Sequence, residues 1–117
     1  MLTIRAEQFE VFSRVDVKKF EEWMIAHLER FFPEQCAVAG EAQLRETIQG
    51  GIKRAATYGV TVKRDVCKYI DLMVVFGRDF DTDKRYPWAA EILSERRNPS
   101  AKTQALHGAA LKHLRQS

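Results

Sequence analysis

One run of apolar residues at helical spacing constrains this chain more than any other feature. Val62, Val66, Tyr69, Ile70, Met73 and Val74 recur three or four residues apart, and Phe76 extends them. Side chains spaced in this way share one face of an α-helix, and a face so apolar has to be buried against other elements. Thr61 is placed to cap this helix through its hydroxyl, and Gly77 to stop it in a backbone conformation that other residues reach only with strain. The polar stretch from Asp79 to Tyr86 then reads as a loop. Pro87 opens a new helix at the one position where a missing N–H costs nothing. The plan over Thr61–Leu93 is a helix, an acidic turn and a second helix. Nothing in it is a catalytic signature.

The remaining segments repeat the helical theme. Phe9, Phe12, Phe20, Trp23, Met24, Leu28 and Phe31 fall on one stripe between Thr3 and Phe32, interrupted near Asp16. Either one long helix carries a polar defect there or a short helix ends and Asp16 starts another; we favour the long helix, ended by Pro33, with Glu34–Gly40 as a connection. A second helix runs from Glu41 to Tyr58, with Leu44, Ile48, Ile52, Ala55 and Ala56 on its apolar face and Gly59 as its stop. Gly50 and Gly51 sit inside it, each costing about 1 kcal/mol against alanine, so they mark either a close helix approach or a kink. The last two helices are expected from Pro87 to Arg96, with Trp88, Ala89, Ile92 and Leu93 inward, and from Ala101 to Arg115, with Leu106, Ala110, Leu111 and Leu114. No β-alternating run of strand length is present. The expected fold is all-α, a single compact domain of about five helices over residues 1–117, with the helices on either side of Gly59 as the central pair.

At 117 residues the chain is long enough to bury a core without metal or disulfide staples, and 45% hydrophobic content argues against disorder. The opening segment carries Arg5, Glu7 and Glu10 where a signal peptide would need an apolar stretch, and no run is long enough to span a bilayer. A cytoplasmic protein with no membrane partner is expected, with Cys36 and Cys67 as free thiols.

Candidate chemistry is sparse. Asp79, Asp81 and Asp83 alternate like the first ligands of a calcium loop, but that loop needs glycine at its sixth position and glutamate at its twelfth. Lys84 and Ala90 stand there, so no metal is expected. His27, His107 and His113 form no metal spacing with an acid or cysteine on one turn. Cys67 with a histidine base is the competing catalytic reading, because such groups meet only in the fold. Against it, Cys67 lies in a strongly apolar helix, where an inert buried thiol is the usual case. Dibasic pairs such as Lys53-Arg54 and Lys63-Arg64 are interleaved with acids, so nucleic-acid binding is a minor alternative. No catalytic residue and no cofactor is expected.

Several strings carry a resemblance. Gly51-Ile52-Lys53-Arg54-Ala55 with Tyr58-Gly59-Val60-Thr61, then Arg64-Asp65-Val66-Cys67-Lys68-Tyr69-Ile70-Asp71-Leu72-Met73, then Phe76-Gly77-Arg78-Asp79-Phe80-Asp81-Thr82-Asp83 and Pro87-Trp88-Ala89 form the set. Together they resemble a family of small helical proteins of Gram-negative bacteria encoded beside type VI secretion genes, near spike proteins and toxic effectors. The likeness runs from Leu2 to Leu93 and is weakest over the final helix. It implies a non-enzymatic accessory or adaptor that binds an effector or spike protein, or an immunity protein that neutralises a toxin. The net charge of +3 leans away from immunity against a nuclease, whose basic cleft favours an acidic partner surface. The expected partner-binding residues are Arg78, Asp79, Phe80, Asp81, Asp83, Arg85 and Tyr86, because arginines and aromatics on an anchored loop are the usual interface hot spots. On this expectation Asp81→Lys weakens partner binding and barely alters folding. Phe80, Tyr86 and Trp88 could instead pin the loop to the core; for Trp88 the pin is preferred.

Overall fold

Glycine and proline punctuation divides the chain much as the sequence suggests. The computed structural model describes residues 14–116. The helices are α1 (Arg14–Phe31), α2 (Pro33–Ala39), α3 (Glu41–Thr57), α4 (Lys63–Phe76), α5 (Pro87–Leu93) and α6 (Pro99–Gln116), with no strand among the described residues. The fold is all-α. The sixth helix is the correction: Glu34–Gly40 is not a plain connection. Pro33 does interrupt the first helix, but it also occupies the first turn of α2, where it needs no N–H partner. The backbone bonds Phe32 N–H to Leu28 O and Cys36 N–H to Phe32 O carry the chain through the bend. Helix α1 is described from Arg14 onward, so the continuity expected across the Asp16 region from Thr3 lies outside the described residues. Phe9, Phe12 and the start expected at Thr3 lie outside the described residues.

The core forms where α4 packs on α3. Val66, Tyr69, Ile70 and Met73 of α4 are buried with Leu44, Ile48 and Ala55 of α3, and Met24 and Leu28 of α1 complete the layer. The chain reverses between the two helices at Gly59, whose φ of +82° is a conformation that side chains rarely adopt. Thr61 does not cap α4. Val62 holds the cap position, and no side chain bonds the first turn. Instead the buried carboxylate of Asp65 accepts the Ser100 hydroxyl at 2.7 Å and ties the start of α4 to the start of α6. Asn98 caps α6 by accepting the Ser100 backbone N–H at 2.8 Å.

Gly51 is the closest approach of α3 to α4. A Cβ there would stand 2.6 Å from Ile70 Cγ1 and 2.9 Å from Met73 Sδ, whereas one at Gly50 would meet nothing within 4 Å. The glycine pair is therefore one packing position and one spare. Gly51→Ala should cost about 1–2 kcal/mol in urea unfolding, since overpacking outweighs the gain in helix propensity. Gly50→Ala should stabilise by up to about 1 kcal/mol.

Polar contacts fix α1 against α3. Arg45 donates to Glu21 and Glu22 of α1, both at 3.0 Å, and to Glu41 one turn before it. Gln49 donates to the other oxygen of buried Glu21 at 2.7 Å. With its cationic and amide donors in place, Glu21 is accommodated at the helix interface.

Candidate functional site

The loop after α4 has an interior and an exterior. Turns of backbone hydrogen bonds, Phe80 N–H to Gly77 O and Thr82 N–H to Asp79 O among them, wind it tightly. Phe80 is fully buried, with its ring centroid 5.1 Å from that of Tyr69. Asp81 is 1% exposed. Its carboxylate accepts from Arg54 Nε at 2.6 Å and Nη2 at 3.2 Å, and from the Tyr58 hydroxyl at 2.5 Å. Burial, and next the Asp81 carboxylate, push the Tyr58 hydroxyl above its ordinary pKa, so it remains a donor. The hydrogen bond to Asp81 likewise raises Arg54. These two residues correct the expectation of a solvated contact surface: Phe80 and Asp81 point inward and hold the loop on α3 and α4.

The other five residues of that expected surface lie elsewhere. Arg78, Asp79 and Arg85 are exposed. Arg78 reaches Glu46 at 3.7 Å, and Asp79 reaches Arg54 at 3.7 Å. Arg85 clamps its own neighbour Asp83, donating at 2.8 Å and 3.2 Å, and holds that carboxyl below its ordinary pKa. Tyr86 is half-buried, packed edge-on against Phe76 at 4.8 Å and His113 at 5.2 Å. Trp88 packs edge-on to Phe76 at 5.5 Å, the loop pin that was preferred for it. Asp79 and Asp81 both meet Arg54 while Asp83 is held by Arg85, so each of the three aspartates is engaged by a guanidinium.

A second locus is formed by residues distant in sequence. A cavity of about 740 Å³ opens among α1, α4 and α6, a volume ordinary for a binding site. Phe20, Trp23 and His27 of α1, Cys67 and Asp71 of α4 and His107 of α6 form its wall, and Lys19, Lys63, Arg64 and Lys68 line it with positive charge. The α1 stripe divides here. Phe20, Met24 and Leu28 turn inward, while Trp23 and Phe31, 55% and 59% exposed, form a second stripe with His27 between them. Trp23 stacks on the His27 ring at 5.3 Å, and Phe31 lies 4.9 Å from it on the other side. Reading all seven apolar positions as one face concealed this split.

His27 meets two groups of α4 through a single nitrogen. Its Nε2 lies 3.0 and 3.2 Å from the two oxygens of Asp71 and 3.6 Å from Cys67 Sγ. Cys67 and Asp71 are four residues apart and share a helix face. His27 stands 40 positions from Cys67 and 44 from Asp71, so spacing alone did not reveal the cluster. The arrangement differs from a nucleophilic relay. A relay uses one imidazole nitrogen for the nucleophile and the other for the orienting carboxylate. A proton on Nε2, the form that can donate to Asp71, leaves that atom unable to accept from the thiol. Burial, with the Asp71 charge second, also pushes the Cys67 thiol up to about 12. In the folded protein Cys67 should therefore react with iodoacetamide far more slowly than a free thiol at neutral pH. Mass spectrometry of the folded and the urea-unfolded chain measures the contrast.

No helix among the described residues is long and apolar enough to cross a membrane. Comparison with protein-family models, curated proteins and solved structures finds no match, so the functional reading rests on the residues of the chain and on the sequence resemblance.

Proposed function

We propose that this protein is a non-enzymatic binding module whose groove among α1, α4 and α6 takes an acidic, amphipathic segment of a protein partner. The observation that carries this reading is the exposed Trp23 at the groove wall. A large aromatic left 55% in solvent beside a formed cavity is the side chain most often found at an interface hot spot. Charge sets the partner chemistry. Four cations and one carboxylate line the groove, so a segment with an apolar face and acidic flanks is complementary. The single-nitrogen arrangement at His27 supports a non-catalytic reading of the same wall. On the type VI resemblance, the partner is a secreted effector or a spike protein, with the chain acting as an accessory or adaptor.

The test is affinity for a type VI effector or spike protein, the partner class that the resemblance proposes. Trp23→Ala should weaken binding by about 2 kcal/mol while unfolding free energy changes by less than about 1 kcal/mol, since the ring is half in water already. Arg85→Ala on the loop after α4 should leave affinity unchanged; a loss there with Trp23→Ala silent returns the interface to that loop. Protection of cells from the effector in the absence of any secretion defect would assign the immunity role instead.

A further inference from the structure

We infer that His27, Cys67 and Asp71 form a binding site for a divalent transition-metal ion with the preferences of zinc. Geometry is the first support. One donor atom from each residue lies within 4.8 Å of the other two, without any rearrangement of the helices. Tetrahedral zinc, with bonds near 2.1 Å to nitrogen and oxygen and 2.3 Å to sulfur, sets its ligand atoms about 3.6 Å apart for N and S and about 3.4 Å apart for N and O. The observed separations are 3.6 Å from Nε2 to Sγ and 3.0 to 3.2 Å from Nε2 to the carboxylate. The third edge, from Sγ to the Asp71 carboxylate, lies within 4.8 Å and has to settle at about 3.6 Å, while the carboxylate withdraws from Nε2 by a few tenths of an ångström for an ion to replace the hydrogen bond. Convergence on one imidazole nitrogen, which disables a relay, is the arrangement that a shared ion requires.

The donor set gives the class of ion. A thiolate with an imidazole selects zinc or cobalt over magnesium and calcium, whose ligands are oxygens. Thiolate and carboxylate together balance the two positive charges. On binding, the thiol proton leaves to water, and Nε2 gives up any proton it holds while Nδ1 carries the remaining one; no electron moves. Two ligands come from one face of α4, and the His27 ring is held from both sides by Trp23 and Phe31. Three protein ligands leave a fourth position, and all three belong to the cavity wall. Binding would clamp α1 to α4. The inference does not depend on the identity of any protein partner.

Titration of metal-stripped protein with zinc, and with cobalt as a spectroscopic probe, tests it. One equivalent should bind, and the cobalt form should show a thiolate-to-cobalt charge-transfer band in the near ultraviolet. Cys67→Ser should remove that band and weaken zinc by about 100-fold or more, since even supporting residues of a metal site cost up to about that factor. Asp71→Asn and His27→Gln, both at half-buried positions, should each weaken zinc by at least about tenfold. They keep the test intact if Cys67→Ser proves unstable by thermal unfolding without metal. Cys36→Ser should change nothing. Zinc affinity equal in wild type and Cys67→Ser, absence of the charge-transfer band, or its loss in Cys36→Ser would each overturn the site.

Discussion

Phe80→Ala should lower the free energy of unfolding by about 4 kcal/mol, the usual cost of emptying a fully buried phenylalanine site. The ring is 0% exposed and packs on Tyr69, which is itself among the largest fully buried side chains. Removing it opens a void between the loop and α4, where Tyr69 loses its ring neighbour. Urea denaturation followed by circular dichroism measures the loss. Partner affinity should stay unchanged per folded molecule, because the ring reaches no surface. A loss under about 1 kcal/mol, with affinity falling instead, would return Phe80 to the interface.

Asp81→Lys should be more damaging still, by about 5 kcal/mol, and comparable to the whole stability of a small domain. The carboxylate, itself fully buried, is the shared acceptor for Arg54 and Tyr58. Lysine would remove the acceptor, strand the Tyr58 hydroxyl and set a second cation beside the guanidinium. Arg54 retains 39% side-chain exposure and can turn to solvent, so Asp81→Ala should cost less, about 2–3 kcal/mol. The ranking of lysine, alanine and wild type in one denaturation series separates the buried-charge effect from the lost hydrogen bonds. An inert Asp81→Lys would mean that the carboxylate faces water. The sequence expectation that this change leaves folding untouched is corrected by the Arg54 contact.

Asp79, Asp81 and Asp83 show where sequence reading stops. Their spacing is regular and their chemistry identical, yet one is exposed, one buried and one clamped by its neighbour. The difference lies in Arg54 and Tyr58, on and just past a helix 23 to 27 residues upstream, which no local pattern reveals. Helix limits were more legible because their causes are local: the positive φ of Gly59 and Gly77, and the proline at the start of α5; Pro99 opens α6 two residues before the start expected at Ala101. Pro33 was read correctly as an interruption and incompletely as an end, because the same ring that stops one helix can begin another. Gly51 could be named as a point of close approach or a kink, but only the positions of Ile70 and Met73 decide between them. The groove was the least legible feature. Trp23, His27 and Phe31 stand one helical turn apart beside a buried stripe of the same composition, and their outward tilt depends on where α4 and α6 come to rest.

Binding through the groove is the central claim, and the most direct measurement is the hydrogen-exchange footprint left on this protein by its proposed partner, a type VI effector or spike protein. With partner in excess, slowed exchange should concentrate in α1 around Trp23–Phe31 and in the first half of α4 around Lys63–Cys67. The loop at 78–86 should exchange as it does in the free protein. Protection confined to 78–86, with α1 unchanged, would contradict the account.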